Sequence, residues 1–87
     1  MWTIVYKKSV EKDLKKISEE NKYLIKRAIE DKLLIDPLKF GLPLRRTLKG
    51  YMKLRVGNYR IIYTINRKIV TVCVVKIGHR KDVYQKM

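Results

Sequence analysis

The sequence predicts a single α+β domain in the order β-α-α-β-β-β, with a helical hairpin packed on one face of a mainly antiparallel sheet. Two patterns predict this fold. Apolar residues recur at helical spacing between residues 10 and 35, and they alternate at strand spacing between residues 52 and 77. The third observation is length, because 87 residues suffice for one domain only, which spans residues 1–87.

The first strand and the first helix are expected near the N-terminus. Residues 2–6 alternate in polarity and predict a short strand. Ser9 stands where a helix N-cap belongs. Val10, Leu14 and Ile17 then follow at the i, i+4, i+7 spacing of one helix face.

The second helix is expected to begin at residues 18–21, whose acids lie in the first turn, where the helix dipole favours them. It should end at Asp36, because a residue before proline avoids the helical region. Two helices with a short link form a helical hairpin. The residues that continue the helical period are Leu24, Ile25, Ala28, Ile29, Lys32, Leu33 and Ile35.

A loop over residues 37–50 separates the helices from three strands, predicted at 52–56, 59–65 and 69–77. The last of these is apolar and β-branched on nearly both faces, so we expect it inside the sheet. Cys73 should share the inward face of the sheet and serve as a core thiol. Residues 79–87 form a polar tail.

The turn at Gly57-Asn58 fixes the register of the first two of these strands. A two-residue loop pairs Arg55 with Arg60 and brings Lys53 near Ile62. Like charges directly opposed destabilise a sheet by roughly 0.2–1 kcal/mol, so the fold itself gains nothing from this pair. The apolar partner face must lie against the helices, which turns the cationic face outward.

The last strand runs back toward the same turn, so basic and aromatic residues should meet at one end of the sheet. A solvated face with charges splayed apart is the plain structural alternative for the opposed pair. We expect the following residues to converge there: Lys53, Arg55, Arg60, His79, Arg80 and Tyr84.

The charge distribution indicates a polyanionic partner. The chain has 22 basic and 8 acidic residues, a net charge of +14. Residues 44–87 hold 12 basic residues and one acid, Asp82, so this half carries a net +11. The lysine bias of an AT-rich genome would explain the lysines but explains the arginines less well. No basic amphipathic helix with an aromatic face is evident, which favours nucleic acid over a membrane surface.

The single cysteine, the absence of an apolar run of ~18 residues and an N-terminus unlike a signal peptide predict a cytoplasmic protein. The acids are scattered over the helices without the clustering that a magnesium nuclease requires. We therefore expect no metal and no cofactor.

A cationic cluster suits cleavage of an RNA phosphodiester. The reaction needs a base for the 2′-hydroxyl, cations for the developing charge and an acid for the leaving 5′-oxygen. A dense cationic site can depress a lysine pKa enough to make that lysine a base. His79 can supply the proton, hydrogen-bond a phosphate or be a bystander. Tyr84 can stack on an unpaired base or anchor the C-terminus.

Two motifs resemble the RelE/ParE toxin superfamily. The superfamily's "lkG…wrlRvGdYRviY" segment is similar to the run Leu48-Lys49-Gly50-Tyr51-Met52-Lys53-Leu54-Arg55-Val56-Gly57-Asn58-Tyr59-Arg60-Ile61-Ile62-Tyr63. Its closing "iGHR.dvY" is similar to Ile77-Gly78-His79-Arg80-Lys81-Asp82-Val83-Tyr84. The resemblance covers essentially the whole chain. It implies a microbial RNase-like (RelE-like) fold and a toxin that cuts messenger RNA on the ribosome and is neutralised by a cognate antitoxin.

By position, the resemblance implies that Arg60 is the transition-state arginine and that Lys53 and Arg55 bind and activate the RNA, with base and binder left open between them. It implies Arg80 as a charge stabiliser or acid. His79 departs from members without a histidine there and can take over the acid role. The residues expected to bind substrate are Tyr84, Arg45, Arg46, Lys49 and Lys81.

Two other functions remain open. ParE-like members share the scaffold but poison DNA gyrase, and they usually lack the full basic and aromatic set. A nucleic-acid-binding module without catalysis is the third class. The charge asymmetry predicts an antitoxin that is acidic in its toxin-binding segment and folds on binding.

Overall fold

The computed structural model describes residues 1–44 and 50–83. It confirms the α+β class and the predicted order of elements, and it adds a short helix and a two-residue strand where we expected only loop. The elements, in chain order, are β1 (Thr3–Tyr6), α1 (Val10–Lys15), α2 (Glu19–Ala28) with a π-helical turn (Ile29–Leu33), α3 (Pro37–Phe40), β2 (Leu42–Pro43), β3 (Met52–Val56), β4 (Tyr59–Asn66) and β5 (Thr71–His79).

In the described residues the sheet has five strands in the order β1-β5-β4-β3-β2. Among these strands only the β1–β5 pair is parallel, so the mainly antiparallel sheet is confirmed. As predicted, β5 is internal, with β1 on one side and β4 on the other. The helices and one face of the sheet share one hydrophobic core, which includes Val10, Ile17, Ile25, Ile29, Leu33, Leu54, Ile61, Tyr63, Val72, Val74 and Ile77.

Both helices begin where predicted. Ser9 is the N-cap residue of α1, although its side chain makes no capping hydrogen bond, and Ser18 Oγ caps α2 by accepting one from the Asn21 N–H at 3.3 Å. The end of the second helix differs from the prediction. The second helix ends in the π-helical turn before Asp36 is reached. Asp36 instead begins α3, where its Oδ1 accepts the Lys39 N–H at 3.1 Å and Pro37 takes the first position.

The strand predicted at 69–77 lies two residues further along, at Thr71–His79. Asn66 Oδ1 accepts the N–H groups of Lys68 and Ile69 at 3.1 and 3.4 Å, which extends the turn after β4. Val70 then adopts a positive φ of 50°, an uncommon conformation for a β-branched residue. The strand can begin only after it.

The position expected for Cys73 is wrong, because a β-bulge interrupts the β4–β5 ladder. Ile62 pairs with Lys76 but Tyr63 pairs with Val74, so one residue of β5 has no partner. This shift places Cys73 opposite Thr64, on the face away from Tyr63. The thiol is half-buried and lies outside the core cluster.

Tyr63 ties the α3–β2 segment to the core. Its side chain is completely buried, and its hydroxyl donates to the Pro37 carbonyl at 2.7 Å. Burial raises the pKa of Tyr63 to about 12, so the donor stays protonated at neutral pH. A Cβ atom at Gly41 would overlap this hydroxyl. Only glycine lets the chain pass so close to the tyrosine.

Gly41→Ala is therefore expected to destabilise the protein by about 1–3 kcal/mol, the usual cost of forcing an extra carbon into a packed site. Gly78→Ala is the matched control, because a Cβ there would lie at an ordinary 3.6 Å from Val83 Cβ. Urea unfolding should show a lower midpoint for Gly41→Ala alone. Equal midpoints for both variants would mean that the Tyr63 contact does not constrain this segment.

Candidate active site

The β3–β4 hairpin brings the predicted cations together. Arg55 pairs with Arg60 and Lys53 pairs with Ile62, as the two-residue turn predicted. Directly opposed residues share a face, so all three cations lie on the face away from the helices. On the other side of β4, Arg60 pairs with Gly78 of β5.

Arg60 is the buried member of this group, with 9% of its surface exposed. Its Nη1 donates to the carbonyls of Gly57 at 3.0 Å and Tyr59 at 2.9 Å. Within residues 1–44 and 50–83, no carboxylate forms an ion pair with it. Among the described residues, the charge is therefore held by carbonyl dipoles alone. It lies beside a second arginine, in a position that favours the binding of an anion.

The turn between β3 and β4 also holds Arg80. Gly57 has a φ of 58°, which favours glycine, and the Asn58 carbonyl accepts the Arg80 N–H at 2.7 Å. One turn thus binds the Arg60 side chain through one carbonyl and the Arg80 backbone through the next. The side chains of Arg80 and Lys81 are exposed.

His79 lies at the same end of the sheet, as predicted, but on the opposite face from Arg60. It pairs with Tyr59, and the two rings meet edge to face with centroids 5.7 Å apart. His79 Nδ1 accepts the Lys81 N–H at 3.2 Å, which leaves the proton of the neutral ring on Nε2. The structure therefore brings Lys53, Arg55 and Arg60 onto one face and does not bring His79 to it.

A cleft of about 500 Å³ lies beside His79, and its charges are mixed. Asp13 of α1 accepts the Ile77 N–H at 3.1 Å through Oδ2, and its Oδ1 lies 3.8 Å from Lys76 Nζ. The carboxylate thus accepts a hydrogen bond from the Ile77 N–H, which lies in the part of β5 that β1 does not pair with. This cleft contains Asp13 and Asp82 beside Lys16 and Lys76, unlike the cationic face.

A second cleft, of about 510 Å³, contains the predicted cations and defines what we call the cationic cleft. Sequence reasoning missed the four other residues of its lining, of which Leu54 was expected on the apolar face against the helices. Lys32 was assigned to the apolar stripe of the second helix, and Phe40 and Leu42 fell in a segment expected to be loop. Its lining is Lys32, Phe40, Leu42, Lys53, Leu54, Arg55 and Arg60.

The chain turns back against the end of the sheet after β5, where the N–H groups of Asp82 and Val83 donate to the His79 carbonyl at 2.9 Å. Val83 is completely buried and approaches the position of Gly78, the cross-strand partner of Arg60. The next residue is Tyr84, which lies outside the described residues. The same holds for Arg45, Arg46 and Lys49.

In the described parts of the chain, no three His, Cys, Asp or Glu side chains are grouped so that they could hold a metal ion. The helices described there include none that is long and apolar enough to cross a membrane.

Comparison with known proteins identifies a small toxin fold. A family model described as ParE toxin of type II toxin–antitoxin system, parDE, matches residues 4–84. Toxin RelG of Mycobacterium tuberculosis is 41% identical over 51 residues, and the match spans 59% of this chain and 59% of the relative.

Two solved complexes are similar over nearly the whole chain. The toxin–antitoxin complex RelBE2 from Mycobacterium tuberculosis matches with a TM-score of 0.85 at 31% identity, covering 93% of both chains. The RelB–RelE antitoxin–toxin complex from Methanococcus jannaschii matches with a TM-score of 0.72 at 28% identity, covering 95% of this chain and 98% of that one. The chain belongs to the RelE/ParE superfamily of type II toxin–antitoxin toxins.

Proposed function

We propose that this toxin is an endoribonuclease that cuts messenger RNA on the ribosome and thereby inhibits translation in the cytoplasm. The observation that carries the proposal is the buried guanidinium of Arg60, directly opposed by Arg55 and without an ion pair to any described carboxylate. That arrangement adds no stability to the fold. It would instead stabilise the negative charge that develops on a phosphate in the transition state of cleavage. The similarity to RelE-containing complexes supports the same reading.

In this mechanism the RNA backbone lies across the cationic cleft. Lys53 takes the proton of the 2′-hydroxyl, because an arginine stays protonated in proteins and can only bind the phosphate, which is the role of Arg55. Arg60 stabilises the charge that develops on the phosphorane. Arg80, anchored at the same turn, adds a second cation. His79 can protonate the leaving 5′-oxygen only if the RNA crosses the end of the sheet, since its ring lies on the other face.

Four residues outside the described ranges, together with the exposed Lys81, complete the proposal. Tyr84 follows Val83 directly and would stack on a base near Arg60. Arg45, Arg46 and Lys49 precede β3, and Lys81 follows Arg80. They are assigned to binding the RNA backbone, where basic side chains position the strand without reading its sequence.

Poisoning of DNA gyrase without RNA cleavage is the second candidate function, because the matching family model is that of ParE toxins. The two functions differ in whether they need the cationic face. A nuclease requires Arg60 to stabilise the phosphodiester that it cleaves, whereas a gyrase poison cleaves no phosphodiester there. Purified toxin incubated with gyrase and plasmid should therefore leave the DNA intact if the nuclease proposal is right.

The chemistry predicts the ends of the RNA products. A 2′-hydroxyl nucleophile leaves a 2′,3′-cyclic phosphate or a 3′-phosphate, and side-chain catalysis should persist in chelator. The measurement is end-group analysis of cleaved message, with polyamine used to keep ribosomes assembled and sedimentation as the control for their integrity. Products with a 3′-hydroxyl would contradict this mechanism.

A further inference from the structure

Two large apolar side chains border the cationic cleft and are left exposed. Phe40 ends α3 with 40% of its surface exposed, and Leu42 begins β2 with 63% exposed. Leu42 pairs with Lys53, so the two side chains share the cationic face. Phe40 lies two residues earlier and lines the same cleft. We call Phe40 and Leu42 the apolar ledge.

The ledge is held in place by the core behind it. Gly41 faces the Tyr63 hydroxyl, and that hydroxyl is bound to Pro37 at the start of α3. The α3–β2 segment therefore presents its two apolar side chains outward from a fixed backbone. Adjacent exposed apolar residues mark a binding surface more often than single ones.

Cations surround the ledge. Lys32 projects into the cleft from the π-helical turn, a distortion that is frequent at functional sites, and Lys39 Nζ lies 5.7 Å from the centroid of the Phe40 ring. Lys53, Arg55 and Arg60 line the other side. All the charged residues that line this cleft in the described part of the chain are basic, so the cleft suits a ligand that combines negative charge with an apolar surface.

We propose that the apolar ledge is a subsite for an unpaired nucleobase, next to the phosphate that Arg60 binds. This proposal rests on the proposed function and names the part of the RNA that the ledge recognises. A nucleotide combines a phosphate anion with a flat base. The cleft of about 510 Å³ contains a matching pair, the Arg60 guanidinium and the Phe40 phenyl ring. Aromatic side chains stack on bases in this way across single-strand binding proteins.

The test uses a fluorescent 2′-O-methyl oligonucleotide, which has no free 2′-hydroxyl to start cleavage, and a matched strand with abasic positions. Phe40→Ala should weaken binding of the intact strand by about ten-fold, the contribution of one stacked base. It should leave binding of the abasic strand unchanged, because both strands carry the same phosphates. Phe40→Trp should restore the affinity for the intact strand.

Ile69→Ala is the control for loss of an exposed apolar side chain, since Ile69 is 64% exposed on the turn before β5 and lines neither cleft. If Phe40→Ala binds the intact strand like the wild type while Lys53→Ala does not, the subsite is wrong and the proposed function stands. If Phe40→Ala weakens binding of a polyglutamate peptide as much as RNA, the ledge recognises acidic protein instead. If the wild type neither binds the oligonucleotide nor cuts ribosome-bound message, both proposals are overturned.

Discussion

Replacing Arg60 with alanine is expected to lower the rate of message cleavage by about 10²–10³-fold, the loss that follows removal of one donor to a developing oxyanion. The guanidinium is already held by the Gly57 and Tyr59 carbonyls, so it does not have to be ordered when the RNA binds. Catalysis gains from charge that is preorganised in a site with little water. Growth inhibition in cells should be lost with the cleavage.

The same substitution should leave the fold intact. It relieves the opposition of Arg55 and Arg60 across the hairpin, and it removes a buried charge without an ion pair to any described carboxylate. These gains offset the lost hydrogen bonds to the turn. We expect an unfolding midpoint close to that of the wild type, so the loss of activity cannot be attributed to unfolding.

Single-turnover cleavage of ribosome-bound message measures this effect. Arg60→Lys keeps the charge but loses the planar fork, and should recover only part of the rate. Arg67→Ala is the matched control, because Arg67 is an exposed arginine on the turn after β4, at the other end of that strand. An Arg60→Ala variant that cuts at the wild-type rate would remove Arg60 from the mechanism.

The second large effect concerns the antitoxin. We propose that the product of a neighbouring gene, acidic in its toxin-binding segment, wraps the helical hairpin and the sheet end near Arg60 and Arg80. Electrostatic steering toward a chain of net charge +14 should make association fast at low salt. Raising the salt concentration should slow it by roughly 10²–10³-fold, toward the rate of an unsteered encounter.

Dissociation should respond much less to salt, because apolar anchors rather than charges hold the complex once it is formed. Stopped-flow association and dissociation rates over a range of ionic strength test both statements, and NMR mapping of the toxin locates the contact surface. An association rate indifferent to salt would show that the charge asymmetry does not recruit the inhibitor.

The hairpin register could be predicted because a two-residue turn leaves only one pairing for Arg55 and Arg60. The position of Cys73 could not, because the bulge in β5 depends on how the sheet packs and leaves no mark in the alternation of residues. The π-helical turn could not be predicted from the sequence either, because the pattern of apolar residues does not change there. Its buried residues Ile29 and Leu33 keep an ordinary helical spacing.

The candidate site divides in the same way. Lys53, Arg55 and Arg60 follow from strand alternation, which fixes the face of each residue on a paired strand. Lys32 and Phe40 line the cleft because of how the π-helical turn and α3 pack in the tertiary structure. No local sequence pattern predicts this position for either residue. His79 was expected at the correct end of the sheet but in the polar tail. The structure makes it the last residue of β5, and its face follows from its pairing with Tyr59.

Primer extension on a ribosome-bound message tests the central claim most directly, with wild-type toxin and the Arg60→Ala variant side by side. We expect the wild type to make cuts that recur in phase with codons and that require the ribosome. The Arg60→Ala variant should make the same cuts at a much lower rate. Full-length message in every lane, together with gyrase-dependent breaks in plasmid DNA, would contradict it.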